Sequence, residues 1–121
     1  MVTVAEDDVT DRNERFFAAE LIREKLFRLL GQELPYGAAV AIEKFEEAGS
    51  LRRIQGVIVL EKESHKAMVI GTGGSKLKQI ASAARVDMEK LFGGKVYLET
   101  WVKVRSGWTE DESAVRRLGY A

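Results

Sequence analysis

The residues with the clearest chemical potential lie in one stretch, KAMVIGTGGSKLK, running from Lys66 to Lys78. Gly71-Thr72-Gly73-Gly74 reads G-x-x-G, with Ile70 leading in, Ser75 leading out, and Lys66, Lys76 and Lys78 on either side. Glycines at the entrance to a helix suit a phosphate. They lack the Cβ that would hold a sugar-phosphate group away, and the unpaired amides of a helix N-terminus favour negative charge. Two chemistries share this signature: handling of a nucleotide, and grip on a nucleic-acid backbone. Spacing decides between them. A nucleotide P-loop needs G-x-x-x-x-G-K-[ST], but the residue five beyond Gly71 is Lys76, and Ser75 precedes that lysine. A dinucleotide G-x-G-x-x-G fails as well, since the residue three beyond Gly73 is again Lys76. A bare G-x-x-G carries little weight alone, because 11 glycines in 121 positions produce about one by chance. Its flanks must supply the rest.

Those flanks read as regular elements. After the glycines, Leu77, Ile80, Ala81, Ala84, Met88 and Leu91 form a helical stripe that stops at Gly93-Gly94. Before them, a short helical turn is expected to carry HKAMVI into the loop. KVYLETWVKVR alternates as a strand, with Val96, Leu98, Thr100, Val102 and Val104 on one face and Lys95, Tyr97, Glu99, Trp101, Lys103 and Arg105 on the other. Two earlier strands are expected within AAVAIEKFEEAGSLRRIQGVIVLEKE, joined at Glu47-Ala48-Gly49-Ser50. The first helix is expected to start at Thr10 or Asp11, with Asp11 and Glu14 as a capping box. Ala18, Ala19, Ile22, Leu26, Leu29 and Leu30 form its stripe, and Phe17, Leu21 and Phe27 lie off it, which implies cover on a second face. Thr109-x-x-Glu112 predicts a short closing helix over Ala114, Val115 and Leu118. Residues 1–9 read as a flexible acidic lead-in or linker remnant, and residues 10–121 as one α+β domain with helices on a small sheet.

Composition narrows the function classes. Cysteine is absent, which excludes thiol nucleophiles and thiolate metal sites. No apolar run approaches the roughly 20 residues of a membrane span, and a cytoplasmic location is expected. The net charge of zero is unevenly spread. Residues 1–51 carry 6 basic and 11 acidic side chains, whereas residues 52–106 carry 11 basic and 5 acidic. The excess of cations surrounds the glycine loop, as an anionic partner would require. His65 is the only histidine, and without carboxylate companions it reads as a surface or capping residue, not a base or metal ligand. No catalytic, metal or cofactor site is assigned.

With loop and flanks in place, the chain resembles the carboxy-terminal KH domain of the bacterial Era GTPase family. The resemblance rests on TDRNERFFAAELIREKLFRLLGQELPY (Thr10 to Tyr36), KAMVIGTGGSKLKQI (Lys66 to Ile80), VYLETWVKVRSGW (Val96 to Trp108) and the terminal RRLGY. It implies a type II KH fold, α-β-β-α-α-β, with three helices on one face of a three-stranded sheet. It implies single-stranded RNA binding through the loop, which in KH modules clamps about four nucleotides, at the 3′ end of small-subunit (16S) ribosomal RNA during ribosome assembly. The site residues so implied are Lys66, Ile70, Gly71, Thr72, Gly73, Gly74, Ser75, Lys76 and Lys78. The resemblance also implies a partner GTPase domain within the same parent protein, outside this sequence. Peripheral membrane association is implied by the resemblance for full-length members only, and this chain has no feature that indicates it.

Family members commonly carry a basic residue between the loop glycines, where this chain has Thr72-Gly73. Phosphate attraction is therefore expected to fall on the helix amides, Lys76 and Lys78. Arg52, Arg53 and Arg85 are candidates to extend the phosphate track, and Ile58 and Ile70 to floor the base groove. Tyr97 and Trp101 could stack bases, but packing is the favoured reading for both. The competing function is a KH-shaped protein-interaction or structural module that binds no RNA. GTP hydrolysis is not expected of this chain, which lacks a P-loop.

Overall fold

The computed structural model describes residues 6–106, with side chains from residue 13 onward. The elements are α1 (Glu6–Leu30), β1 (Ala39–Ala48), β2 (Leu51–Leu60), α2 (Lys66–Ile70), α3 (Ser75–Phe92) and β3 (Lys95–Val104). The strands form one mixed sheet in the order β1-β2-β3, antiparallel between β1 and β2 and parallel between β2 and β3. This is the α+β, α-β-β-α-α-β arrangement expected for a type II KH domain. The closing helix expected over Ala114, Val115 and Leu118, with its capping box at Thr109 and Glu112, lies outside the described residues.

One face of the sheet holds the core. The alternation of β2 and β3 sends Ile54, Ile58, Leu60 and Val96 inward, where they meet Ala18, Ile22, Leu26 and Leu30 of α1, Val69 of α2, and Ile80, Ala84 and Met88 of α3. Ile22, Leu26, Ile58, Ile80 and Met88 are each at most 1% exposed, and burying such a side chain contributes about 1.5–3 kcal/mol. At Gly56 of β2 a Cβ would stand 2.8 Å from Ile22 Cδ1, so α1 crosses the sheet where β2 has no side chain. The pairing slips by one residue between Ile42 and Lys44, leaving Glu43 as a bulge beside this crossing.

Several local expectations change in the folded chain. α1 begins at Glu6, ahead of the expected Thr10–Asp11 start. Asp11 thus lies inside the helix, where a capping box has no open amides to serve. The Glu14 carboxylate instead accepts two hydrogen bonds, from Nε and Nη2 of Arg52, both at 3.0 Å. Phe17, Phe27 and Leu29 are exposed, whereas Leu21, also off the expected stripe, packs against the core. Leu91 is 54% exposed. Phe92 takes its place, packing edge-on against Phe45 with Arg52 5.2 Å above the ring.

Two contacts hold α3 to its neighbours. Lys25 of α1 donates to Asp87 of α3 and also to Glu24 at 2.8 Å. At the end of α3, Glu89 Oε2 accepts the Val96 amide at 3.0 Å and Glu89 C=O accepts the Gly93 amide at 2.9 Å. These bonds fix the two-glycine step into β3.

At its other end α3 follows a sharp reversal. α2 stops at Gly71, whose φ of 77° and ψ of 174° suit glycine alone. A Cβ there would stand 2.7 Å from Lys76 Cγ and 2.9 Å from Lys76 N. Gly71→Ala is therefore expected to cost about 1–3 kcal/mol, seen as a lower midpoint in urea unfolding; an unchanged midpoint would contradict the close packing. The Asp87 carboxyl is held below its ordinary value of 3.8 by the Lys25 hydrogen bond. A depressed carboxyl stabilises the fold above its unfolded value and loses that contribution as pH falls through the folded value. Asp87→Asn should therefore melt below the parent at neutral pH, with the gap closing below pH 3.8. A gap of constant size down to about pH 2 would rule out the charge pair as its cause.

Candidate nucleic-acid interface

The glycine loop stands at the corner where α2 meets α3. Ala67 C=O accepts the Gly71 amide at 2.9 Å, and Gly71 C=O accepts the Gly74 amide at 3.1 Å. Thr72–Gly74 makes one 3₁₀ turn, and the Ser75 amide donates to Thr72 C=O. The loop is thus closed by its own backbone. Gly73 and Gly74 both have positive φ, 62° and 79°.

The glycines divide into two roles. Gly71 lacks a Cβ because Lys76 occupies the space, so this glycine serves the turn and not a ligand. Gly73 and Gly74 have no atom within 4 Å of where a Cβ would sit. They leave open surface through which a chain of sugar and phosphate can approach. Thr72, Gly73 and Ser75 are exposed, Gly74 is half-buried, and the loop presents no carboxylate.

α3 begins behind this surface without a side-chain cap. The Ser75 amide is spent on Thr72, and the amides that follow have no acceptor within the helix. An anion at this end gains both those donors and the helix dipole. Lys76 and Lys78 lie in the same turn, and among the described residues no carboxylate pairs with either. Lys66 differs, since its Nζ reaches Glu63 Oε1 at 3.3 Å. Ile70, the last residue of α2, is half-buried and borders the loop.

Other candidates fall away from this corner. Arg52 sits at the start of β2 over Phe92, at the far end of α3 from the loop, and its charge is satisfied by Glu14. That pairing raises its pKa further. Arg85 pairs with Glu89 at 3.2 Å. Ile58 is fully buried and cannot floor a groove. Arg53 is exposed on the opposite face of the sheet from Ile54 and the helices. His65 precedes α2 but makes no capping bond, and its buried Nδ1 has no hydrogen-bond partner among the described residues. Among the described residues no group of three His, Asp or Glu could hold a metal ion. No helix among them is long and apolar enough to cross a membrane.

The fold adds neighbours that periodicity did not assign. β3 is an edge strand, and its end is tied to β2 by the Arg105 amide donating to Leu60 C=O at 2.8 Å. Half-buried Val102 and Val104 therefore lie at the end of the sheet from which the chain rises into α2. With Met68 and Leu77 they pack at the margin of the core, beside the loop. The alternation of β3 already gave Val102 and Val104 an inward face; only the parallel pairing with β2 sets them next to α2.

The comparisons with known proteins agree with this geometry. A KH domain family model matches residues 33–109. GTPase Era of Xanthomonas oryzae is 57% identical over 115 residues, covering 95% of this chain and 38% of that protein. GTPase Era of Stenotrophomonas maltophilia is 56% identical, with 95% and 39% covered. The chain thus spans well under half the length of these relatives, and the match is to their C-terminal part. A variant of Aquifex aeolicus Era bound to GDP and AlF4− superposes with a TM-score of 0.82 at 38% identity, over 88% of this chain and 36% of that one. A structure of Era in complex with MgGDPNP and nucleotides 1506–1542 of 16S ribosomal RNA gives the same score, identity and coverage. With the helix-loop-helix corner, the mixed sheet and the matched residues in agreement, this chain belongs to the KH domain family.

Proposed function

We propose that this chain binds single-stranded RNA at the Gly71–Gly74 loop, as the RNA-binding half of an Era-like GTPase. The observation that carries this reading is the uncapped start of α3 behind two open glycines, with Lys76 and Lys78 free of carboxylate partners among the described residues. The backbone enters over Gly73 and Gly74, Thr72 and Ser75 line its path, and the α3 amides receive a phosphate. Lys76 and Lys78 neutralise the neighbouring phosphates. Lys66 joins them by releasing Glu63. Ile70 supplies apolar contact for a base.

The RNA we assign is the 3′ end of small-subunit ribosomal RNA, bound during ribosome assembly in the cytoplasm. Support comes from the solved Era complex with nucleotides 1506–1542 of 16S ribosomal RNA, at 38% identity to this chain. The second partner is the GTPase domain of the same parent protein. This chain contributes binding and no hydrolysis.

Thr72→Asp combined with Gly73→Asp tests the loop directly. Two carboxylates where the backbone approaches should weaken single-stranded RNA binding at least tenfold, about 1.4 kcal/mol, while circular dichroism shows a folded chain. Parental affinity in that variant would reject the loop and favour the protein-interaction module, for which exposed Phe16 and Phe17 on α1 offer a surface. Salt titration separates the lysines. For single strands log K falls with log salt by about 0.7 per phosphate neutralised. Lys76→Gln with Lys78→Gln should flatten the slope by about 1.4. Lys66→Gln should change it less than Lys76→Gln, since Glu63 already occupies Lys66. The reverse order would refute this ranking.

A further inference from the structure

Away from the loop, the outer face of the sheet divides into a sealed half and an open half. Toward the C-terminal ends of β2 and β3, Trp101 packs on buried Ala39, Val57 and Val59. Toward their N-terminal ends the same face carries Lys44 and Glu46 of β1, Arg53 and Gln55 of β2, and Lys95, Tyr97 and Glu99 of β3. Tyr97 is 55% exposed there. The anions on this patch are already engaged, Glu46 with Lys44 at 3.5 Å and Glu99 with Gln55 Nε2 at 3.1 Å. Lys103, further along β3, is held by Glu43 at 2.8 Å. Among the described residues, Arg53 and Lys95 pair with no carboxylate, and Tyr97 meets no other ring.

We infer that Tyr97, Arg53 and Lys95 form a second RNA contact, in which one unpaired base stacks on Tyr97 and the two cations hold its flanking phosphates. Arg53 is the direct register partner of Tyr97 on the adjacent strand, about 4.8 Å away across the sheet. Lys95 precedes Tyr97 by two residues on the same face, about 6.6 Å along the strand. A ring bracketed by cations at these spacings is complementary to a base carried between two phosphates, and an exposed sheet aromatic stacks any base with little sequence preference. The patch lies on the opposite face from the helices, so it cannot touch the nucleotides in the loop. It serves a more distant part of the same strand. The inference rests on the reading of the loop as an RNA clamp, because it needs an RNA longer than the about four nucleotides such a loop holds.

Fluorescence anisotropy with the 121-residue chain and two labelled RNAs tests it: a single-stranded pentanucleotide that fills only the loop, and an RNA spanning nucleotides 1506–1542 of 16S ribosomal RNA. Tyr97→Ala should weaken the long RNA about tenfold, the order of one lost stack, and leave the pentanucleotide unchanged. Tyr97→Phe should keep parental affinity for both. Arg53→Gln with Lys95→Gln should flatten the salt dependence for the long RNA by about 1.4 and not for the short one. Parental long-RNA affinity in Tyr97→Ala would overturn the contact. So would an equal loss on both RNAs, which marks a disturbed fold. Loss of the long RNA on Thr72→Asp with Gly73→Asp, but not on Tyr97→Ala, would overturn this inference alone. Binding of neither RNA by the parent chain would overturn the clamp and the second contact together.

Discussion

The backbone at Gly71 is the constraint on which the rest of the corner depends. Its φ and ψ, 77° and 174°, open the four-residue turn, Gly71 to Gly74, that carries the chain from α2 into α3. The space a Cβ would take is filled by the amide and stem of Lys76. With the turn closed this tightly, Gly73 is exposed and the space beside half-buried Gly74 stays open in front of the start of α3. The helices on both sides are seated in the core through fully buried Val69 and Ile80. An open loop on a rigid base needs little ordering when it meets a ligand, and the ordering that is avoided becomes affinity.

Charge is arranged to the same end. Two carboxylates of α1 are occupied away from the loop: Glu14 holds Arg52, and Glu24 shares Lys25 with Asp87 of α3. These pairs tie the first helix to the sheet and to α3. Around the loop the balance reverses: among the described residues, Glu63 at Lys66 is the only carboxylate contact of the lysines assigned to the site. The uneven charge of the sequence therefore has two outcomes: Glu14 acts as a tie between the first helix and the sheet, and lysines without a carboxylate partner among the described residues collect where α3 begins. Overall neutrality conceals a local field, and the local field is what an RNA strand would meet.

Much of this was legible in the sequence wherever a short period governed it. The α3 stripe predicted Ile80, Ala84 and Met88 as core, and the alternation of KVYLETWVKV predicted both faces of β3. The G-x-x-G spacing excluded a nucleotide loop before any geometry was known. What failed was set by contacts across long separations. Nothing near Glu14 in sequence announces that its partner is Arg52, 38 residues on, so it read as a local cap. Arg52 read as a free cation for the same reason. Ile58 and Ile70 carry the same side chain, and only the layering of helices on the sheet buries the first and leaves the second at the surface. Leu91 read as core by its period, yet it is exposed, and it is the contact of Phe92 with Phe45 across the fold that closes this end of α3. Tyr97 and Trp101 share a strand face, yet the register places Trp101 over Val57 and Tyr97 beside Arg53, which separates a packed ring from an open one.

The central claim is that the open end of α3, behind Gly73 and Gly74, holds a phosphate backbone. Recording amide nitrogen-proton spectra while single-stranded RNA is titrated into the chain tests it most directly. The account predicts the largest shifts at the amides of Thr72, Gly73, Gly74, Ser75 and Lys76, saturating together and reversing when salt is raised. Saturable binding that leaves those amides unmoved, with shifts centred on α1 or elsewhere, would contradict it.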